Sequence, residues 1–182
     1  MEHPVQVVVL LAGPAGSGKT SLGARIAATP GWTHLSEDDY WVRIKEGHPA
    51  GELRTPEEQA TVQAEVIRDL LSTLIGGNRV VLEFILYEDP PRPLFAYQKA
   101  LSEREIPFMT SVLRPTLDEL LVRIRARGRD DERDIMSLRS NAEHQIACIA
   151  SPLIRGHWLI DPTGDTLEET YAKHFKQVVE GS

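Results

Sequence analysis

The residues best suited to chemistry are Lys19 and Thr20, which end the glycine-rich segment GPAGSGKT at residues 13–20. This segment fits the pattern G-x-x-x-x-G-K-[ST] without a mismatch. Glycines let backbone N–H groups turn toward phosphate oxygens, the lysine reaches the β- and γ-phosphates, and the last hydroxyl binds Mg²⁺. The motif predicts a P-loop for a nucleoside triphosphate, ATP in the simplest case, with Lys19 also catalytic. The expected binding residues are Gly13, Ala15, Gly16, Ser17, Gly18, Lys19, Thr20 and Ser21.

The elements around this loop predict a buried parallel sheet. Five short apolar stretches are typical of strands covered on both faces, at 5–12, 32–36, 79–86, 107–113 and 157–161. Helical patterns lie between or after them, at 18–28, 56–75, 93–104, 115–127, 132–149 and 166–180. Alternating strands and helices indicate a doubly wound α/β fold whose ligands bind at the carboxyl ends of the strands. We expect one domain over residues 1–182, with the polar segment 40–56 as a loop over the site.

Acidic side chains follow or interrupt the next two predicted strands. Asp38 and Asp39 come directly after the second strand, where a carboxylate can accept a proton from a substrate hydroxyl or hold metal-bound water. We favour Asp38, which is first beyond the sheet, although a helix cap is the alternative. Glu83 is the one charge among the apolar residues that follow Arg79 in the third strand, so its partner is expected to be Mg²⁺ with its water, or an arginine. The predicted metal-binding set is Thr20, Asp38 and Glu83.

A dense arginine cluster surrounds Gly128. Such a helix–glycine–helix corner could fold over phosphates and neutralise the charge that develops during transfer, since the guanidinium fork binds phosphate oxygens in pairs. Arg125 is expected to be solvated like most charged helix positions. The cluster comprises Arg123, Arg125, Arg127, Arg129, Arg133 and Arg139.

The composition limits the partners. A net charge of −7 disfavours a nucleic acid partner. The single cysteine, Cys148, is expected to be a small buried apolar group in a protein of the reducing cytoplasm, and with His144 it makes too few ligands for a metal site. Since no apolar stretch has the length of a membrane span, we expect no membrane partner.

With these motifs the chain resembles small P-loop kinases of the nucleoside-monophosphate-kinase-like fold, a group that includes gluconate, shikimate and nucleoside kinases and antibiotic phosphotransferases. DDYW and VVLEFILY are similar to segments of nucleoside and nicotinamide-riboside kinases, although Phe84 stands where that subfamily has glycine. The resemblance implies a three-layer P-loop NTPase fold, a five-stranded parallel sheet flanked by helices, a short arginine-rich lid at 128–133, and ATP with Mg²⁺ as cofactors.

The resemblance also implies roles for individual residues. Asp38 matches the catalytic base or substrate anchor. Arg123 matches an arginine that packs on adenine, and Arg127 one that contacts phosphate. Arg133 and Arg139 resemble arginines that approach the γ-phosphate, and the implied catalytic set is Lys19, Asp38, Arg127 and Arg133. Asp161 and Thr163 resemble a loop beside adenine, although a plain turn explains them equally well.

The expected function is therefore an ATP-dependent kinase that phosphorylates a hydroxyl of a small molecule, as a monomer or homodimer. The acceptor side would be formed by residues 40–76. Within it, Trp41, Arg43, His48 and Arg54 could shape the acceptor pocket, and Arg43 with Arg54 would suit an anionic acceptor. The alternative is an NTP-hydrolysing switch or regulatory nucleotide-binding protein. The short chain and the arginine cluster disfavour that alternative.

Overall fold

A five-stranded, fully parallel sheet forms the centre of the molecule. In the computed structural model, which describes residues 8–44, 55–127 and 135–181, the strand order is β2-β3-β1-β4-β5. Each pair of neighbouring strands is parallel. The strands are β1 (Val8–Ala12), β2 (Trp32–Ser36), β3 (Arg79–Phe84), β4 (Phe108–Leu113) and β5 (Leu159–Ile160). The predicted α/β fold with a five-stranded parallel sheet is confirmed.

Helices cover both faces of this sheet. Helices α2, α3, α4 and α6 contribute to the apolar cluster on one face, and α1, α7 and α8 to the cluster on the other. The bounds are α1 (Lys19–Ala27), α2 (Glu37–Ile44), α3 (Pro56–Ile75), α4 (Arg92–Ser102), α5 (Leu117–Arg127), α6 (Ile135–Ile149), α7 (Leu167–His174) and α8 (Lys176–Glu180).

The alternation of side chains along β1 explains the two clusters. Val8 and Leu10 join the cluster of α2–α4, while Val9 and Leu11 join that of α1, α7 and α8, and all four are fully buried. Successive strand residues point to opposite faces, so an unbroken apolar run is needed where both faces are covered. This burial fixes β1, and with it the loop that follows.

The prediction of a loop over 40–56 is wrong for its first residues. Residues 37–44 form α2, which has three acids in its first turn and buries Tyr40 and Trp41 against the core. Those two aromatic side chains form the apolar face of this helix, which the mainly polar composition of the segment did not indicate. Pro56 is the first residue of α3, whose N-cap Thr55 makes a complete capping box with Glu58. Residues 45–54 lie outside the described residues.

One further difference concerns the last predicted helix. The predicted helix 166–180 is divided at Phe175, which ends α7 and precedes α8. Phe175 is fully buried, and its anchoring in the core accompanies the break. Among the described residues, no helix has the length and apolar character of a membrane span.

Candidate functional site

The glycine-rich segment forms the turn between β1 and α1 at the carboxyl edge of the sheet. Gly18 is the N-cap of α1 and has a φ of 97°, a left-handed conformation that side chains with a Cβ rarely adopt. Ser17 N donates to the carbonyl of Pro14 across 3.1 Å, which closes the loop on itself. The loop therefore leads directly into a helix N-terminus, an arrangement that binds anions through backbone N–H groups and the helix dipole.

Lys19 and Thr20, the first two residues of α1, have different surroundings. Lys19 is 6% exposed, and its Nζ donates to the carbonyl of Pro14 across 2.9 Å, so the ammonium lies over the loop. Thr20 is exposed, and its Oγ1 donates to Oε1 of Glu83 across 3.1 Å. The motif's two polar side chains thus have different hydrogen-bond partners, and both act on Glu83, Thr20 through a hydrogen bond and Lys19 through its charge.

Glu83 is a buried carboxylate at the end of β3. Its register partners are Leu11 of β1 and Ser36 of β2, and its Oε1 lies 3.6 Å from Nε2 of His34. Burial alone would raise the pKa of Glu83, but the side chains of His34 and Ser36 and the charge of Lys19 outweigh it, so the pKa lies below its ordinary value. The carboxylate is therefore ionised at neutral pH.

The close packing of α1 on β2 holds His34 beside this carboxylate. A Cβ at Gly23 would lie 2.5 Å from Nε2 of His34, so a larger residue at this position of α1 would displace the imidazole. Sequence reasoning did not identify His34, because a single histidine in a short edge strand carries no distinguishing pattern.

The donor set around Glu83 fits Mg²⁺ or its water. Glu83 Oε2 is buried without a hydrogen-bond partner among the described residues, and Oε1 already accepts from Thr20. Carboxylate and hydroxyl oxygens are ligands that Mg²⁺ prefers, usually with several retained waters. No group of three or more acidic, histidine or cysteine side chains is close enough to hold a metal alone in the described ranges. Water and phosphate would have to supply the remaining ligands.

A cavity of about 270 Å³ opens on the other side of the P-loop. We call it the α5 cavity, and it lies between the loop, α1, α5 and the segment after β5. Arg123 forms part of its wall: Nη1 donates to the carbonyl of Ser17 across 3.3 Å, Nη2 to that of Pro162 across 3.4 Å, and Nε to Glu119 across 2.9 Å. These bonds fix the guanidinium plane at the cavity surface.

Asp161 and Thr163 stabilise the loop that bounds the α5 cavity. Thr163 N donates to Asp161 Oδ1 across 2.9 Å, and Thr163 Oγ1 accepts from Thr116 N across 3.0 Å. The backbone and side-chain hydrogen bonds from Thr163 lower the pKa of Asp161. Asp161 and Thr163 are not among the residues that line the cavity. Its wall on this side is formed by their neighbours Pro162 and Asp165, and by Leu167 and Thr170 of α7. Only the loop as a whole was foreseen from the sequence.

Gln145 of α6 also contacts the P-loop and was not foreseen. Its side chain is 6% exposed, and its Oε1 accepts from Ala15 N across 2.7 Å. One glutamine in a helix gives no sequence signal for such a contact. The bond nevertheless joins the P-loop to the helix that follows the arginine cluster.

The first three residues of α2 are acidic, and their side chains lie in two different environments. Asp38 and Asp39 are exposed in the first turn, directly beyond the end of β2. Glu37 is 5% exposed, and its two oxygens accept from Trp41 Nε1 across 3.0 Å and from Tyr97 OH across 2.7 Å. Burial and the charge of Glu37 hold the pKa of Tyr97 well above its ordinary value, so Tyr97 remains a donor.

Glu37 also lines a second, smaller hollow, which we call the α3 pocket. Its volume is about 20 Å³, it is partly open to solvent, and it lies between α2, α3, the segment after β3 and the start of α4. Ile85 in its wall follows Glu83 by two residues. The lining residues are Glu37, Trp41, Gln59, Gln63, Ile85, Tyr87, Glu88 and Pro93.

The predicted arginines are described only in part. Arg123 lies beside the P-loop, whereas Arg139 forms an ion pair with Glu143 of the same helix across 2.8 Å. Arg127 ends α5, with its side chain outside the described part, and the segment 128–133 with Arg129 and Arg133 is likewise outside it. Their predicted roles stay predictions.

Cys148 is buried in the core, and its Sγ lies 3.7 Å from Nε2 of His144. Burial raises the pKa of the Cys148 thiol. This environment agrees with the expected role as a small apolar group.

Comparison with known proteins decides the family. The sequence family described as an AAA domain matches residues 8–150, which include the P-loop, Glu83 and Gln145. The chain belongs to this AAA-domain family. A curated protein of Methanosarcina barkeri named "Putative adenylate kinase" is 27% identical over 176 residues, covering 96% of this chain and 86% of the relative.

Solved structures share the fold of this AAA-domain protein. The tunicamycin resistance protein of Deinococcus radiodurans superposes with a TM-score of 0.64 at 14% identity, covering 92% of this chain and 95% of the other. A gluconokinase from Sinorhizobium meliloti superposes with a TM-score of 0.60 at 18% identity, covering 98% of this chain and 93% of the other. The resemblance to small P-loop kinases is thereby confirmed, and the AAA-domain protein has a kinase-like P-loop fold.

Proposed function

We propose that this protein is an ATP-dependent kinase that transfers the γ-phosphate to a hydroxyl group of a small molecule. The observation that carries the proposal is the bond between Thr20 and Glu83. It joins the end of the P-loop to the strand whose continuation lines the α3 pocket. Two separate hollows, one lined by the P-loop and one lined by the segment after β3, suit a reaction of two substrates, with the nucleotide in the α5 cavity and the acceptor toward the α3 pocket.

The loop and its neighbours would bind the triphosphate. Backbone N–H groups of residues 13–21 would hold phosphate oxygens, with Lys19 turning from the Pro14 carbonyl toward the β- and γ-phosphates. Thr20 and Glu83 would hold Mg²⁺ or its water. When bound, that ion would neutralise charge on the phosphates. The fixed plane of Arg123 would pack on the adenine, and the loop of Asp161 and Thr163 would close the base side.

The acceptor hydroxyl would attack the γ-phosphorus. Its oxygen would form a new bond to phosphorus, while the bond from phosphorus to the bridging oxygen of ADP breaks. Asp38, exposed at the start of α2, would receive the proton of the hydroxyl. Arg127 and Arg133 would stabilise the charge of the transferring group, as the family resemblance implies. We further propose a small-molecule partner, no nucleic acid partner, and a cytoplasmic monomer or homodimer.

The first prediction tests this function through Lys19. ADP formation should be slow without an acceptor and should rise sharply with one hydroxyl compound from a panel of sugars, nucleosides and aminoglycosides. Lys19→Ala should lower the acceptor-dependent kcat by roughly 10²-fold or more, the usual effect of removing one charge-stabilising group. Coupled-enzyme detection of ADP measures both quantities.

Lys99→Ala is the matched control, because Lys99 is exposed on α4 and pairs only loosely with Glu103, across 3.2 Å. Its kcat should equal that of the wild type. ATP hydrolysis that no acceptor accelerates would favour the nucleotide-dependent switch instead. Full transfer by Asp38→Asn would remove Asp38 from the role of base.

A further inference from the structure

The α3 pocket has the composition of a binding site for a polar ring compound. Trp41, which is 4% exposed, and Tyr87 contribute aromatic rings. Gln59 and Gln63 are four residues apart on α3 and therefore lie on one face of that helix, where their amides can donate or accept hydrogen bonds. Aromatic walls with a few convergent polar groups are the usual lining of small-molecule sites.

One carboxylate oxygen of Glu88, a residue that lines this pocket, lacks a partner. Glu88 Oε2 lies 3.6 Å from Arg92 Nη1, but Glu88 Oε1 is buried without a hydrogen-bond partner among the described residues. A buried carboxylate oxygen in this state is costly unless something donates to it. The volume of about 20 Å³ exceeds the roughly 10–15 Å³ that one water-sized group requires. A single ammonium or hydroxyl group fits this space, and because the pocket is partly open to solvent, the rest of a larger ligand would lie at its mouth.

The charge of the lining disfavours anionic ligands. Glu37 and Glu88 are both carboxylates, whereas none of the residues that line the pocket is lysine or arginine in the described part of the chain. The nearest described cation by contact, Arg92, has a side chain that is 63% exposed and is directed to the outer oxygen of Glu88. A carboxylate or phosphate in this pocket would meet like charge while losing water, which opposes its binding.

We propose that the α3 pocket binds the phosphate acceptor, and that this acceptor is a hydroxyl compound with a protonated amine and no acidic group. This inference rests on the proposed kinase function and names its substrate class. The amine pairs with the carboxylate of Glu88, the rings of Trp41 and Tyr87 bound the ligand and favour a cation nearby, and Gln59 and Gln63 contact its hydroxyl groups. This substrate class differs from the acceptors that the names of two similar proteins suggest, a nucleotide for the putative adenylate kinase and a sugar acid for the gluconokinase.

The test compares matched ligands that differ in charge. Glucosamine, glucose and gluconate share a six-carbon skeleton and carry an amine, no charge and a carboxylate, and kanamycin adds several amines. Binding is measured by calorimetry with and without a non-hydrolysable ATP analogue, and transfer by ADP formation. The amine-bearing compounds should bind at least tenfold more tightly than gluconate. Glu88→Gln should weaken that binding roughly 10- to 100-fold, as expected for the loss of a charge-assisted hydrogen bond.

Two further variants make the outcome decisive. Glu103→Gln removes a carboxylate that is exposed at the end of α4 and should leave the ligand preference unchanged. Glu88→Lys should reverse the preference toward gluconate, and thermal unfolding verifies that both Glu88 variants fold. Tighter binding of gluconate than of glucosamine by the wild type, or no amine binding that depends on Glu88, overturns the inference.

The experiment can reject the kinase function and the amine substrate class independently of each other. Kinase activity confined to acidic acceptors would retain the kinase and reject the amine class. Amine binding that depends on Glu88, without any transfer, would support the pocket and reject the kinase.

Discussion

At the scale of single residues, Glu83 combines two properties that rarely occur together. It is buried within the central sheet and carries a charge, because the side chains of His34 and Ser36 and the ammonium of Lys19 surround it. The same neighbours fix its direction toward Thr20. A carboxylate in this setting is pre-oriented for a cation, since little side-chain freedom remains to be lost when the ligand arrives.

The second prediction concerns the pH dependence of stability at Glu83. Folding lowers the pKa of Glu83 below its ordinary value of 4.5, so the ionised carboxylate stabilises the fold. This stabilisation is complete above pH 4.5 and is lost as the pH falls through the lower folded pKa. The free energy of unfolding of Glu83→Gln should therefore approach that of the wild type in acid and fall below it near neutral pH. Urea unfolding with a chelator present measures the difference.

Glu103→Gln serves as the reference for this experiment. It removes one partner of a surface ion pair, which is worth about 0–1 kcal/mol at most, and its difference from the wild type should vary little with pH. A Glu83→Gln protein whose deficit is the same at every pH would contradict the assigned ionisation. In the presence of Mg²⁺ and ATP, Glu83→Gln should also require more Mg²⁺ for half-maximal activity.

At the scale of elements, α6 is joined to the P-loop by the hydrogen bond of Gln145. Gln145 Oε1 receives the N–H of Ala15, and α6 also meets the segment after β3, where Tyr87 O lies 2.7 Å from His144 Nε2. Ser151, just after α6, donates to Asp89 across 2.7 Å. The helix beyond the arginine cluster is thus attached to both the P-loop and the border of the α3 pocket. Movement of α6 would therefore reach both the P-loop and the border of the α3 pocket.

The third prediction separates the stabilising and the binding roles of Gln145. Gln145→Leu removes the acceptor and leaves the amide of Ala15 without a partner, which should cost about 1–3 kcal/mol of unfolding free energy. Gln145→Glu keeps an acceptor oxygen but adds a negative charge beside the phosphate loop. It should lose less stability than the leucine variant and lose more ATP affinity. Urea unfolding and calorimetric titration with ATP measure the two effects, and equal behaviour of the two variants would contradict this account.

At the scale of the whole molecule, the sheet was the most predictable part. Each predicted strand overlaps an observed one, because β-rich apolar runs such as that of β1 are required wherever helices cover both faces. The P-loop was equally predictable from the sequence, since its chemistry depends on the order of residues along the chain. Helix α2 was missed because the anchors Tyr40 and Trp41 stand among acids and precede several glycines and prolines.

The contacts between distant segments were the least predictable. His34, Gln145 and Glu88 matter only through partners that are far away in sequence, as in the contact of Gln145 with Ala15, 130 positions earlier. The sequence suggested Arg43 as a cation of the acceptor pocket. In the structure, its guanidinium lies over the ring of Tyr40, 4.3 Å from the ring centroid, a contact that the sequence does not indicate. Single-sequence patterns report periodicity and local chemistry, whereas these pairings arise from the folded topology.

The position of β1 in the middle of the sheet has a consequence for synthesis on the ribosome. β1 emerges first, yet its neighbours are β3 and β4, so its second edge stays unpaired until residues 108–113 have left the exit tunnel. Exposed strand edges of nascent chains are prone to association with other chains. The phosphate loop, which directly follows β1, can take its final form only after β4, which begins 100 positions beyond the start of β1, has been translated.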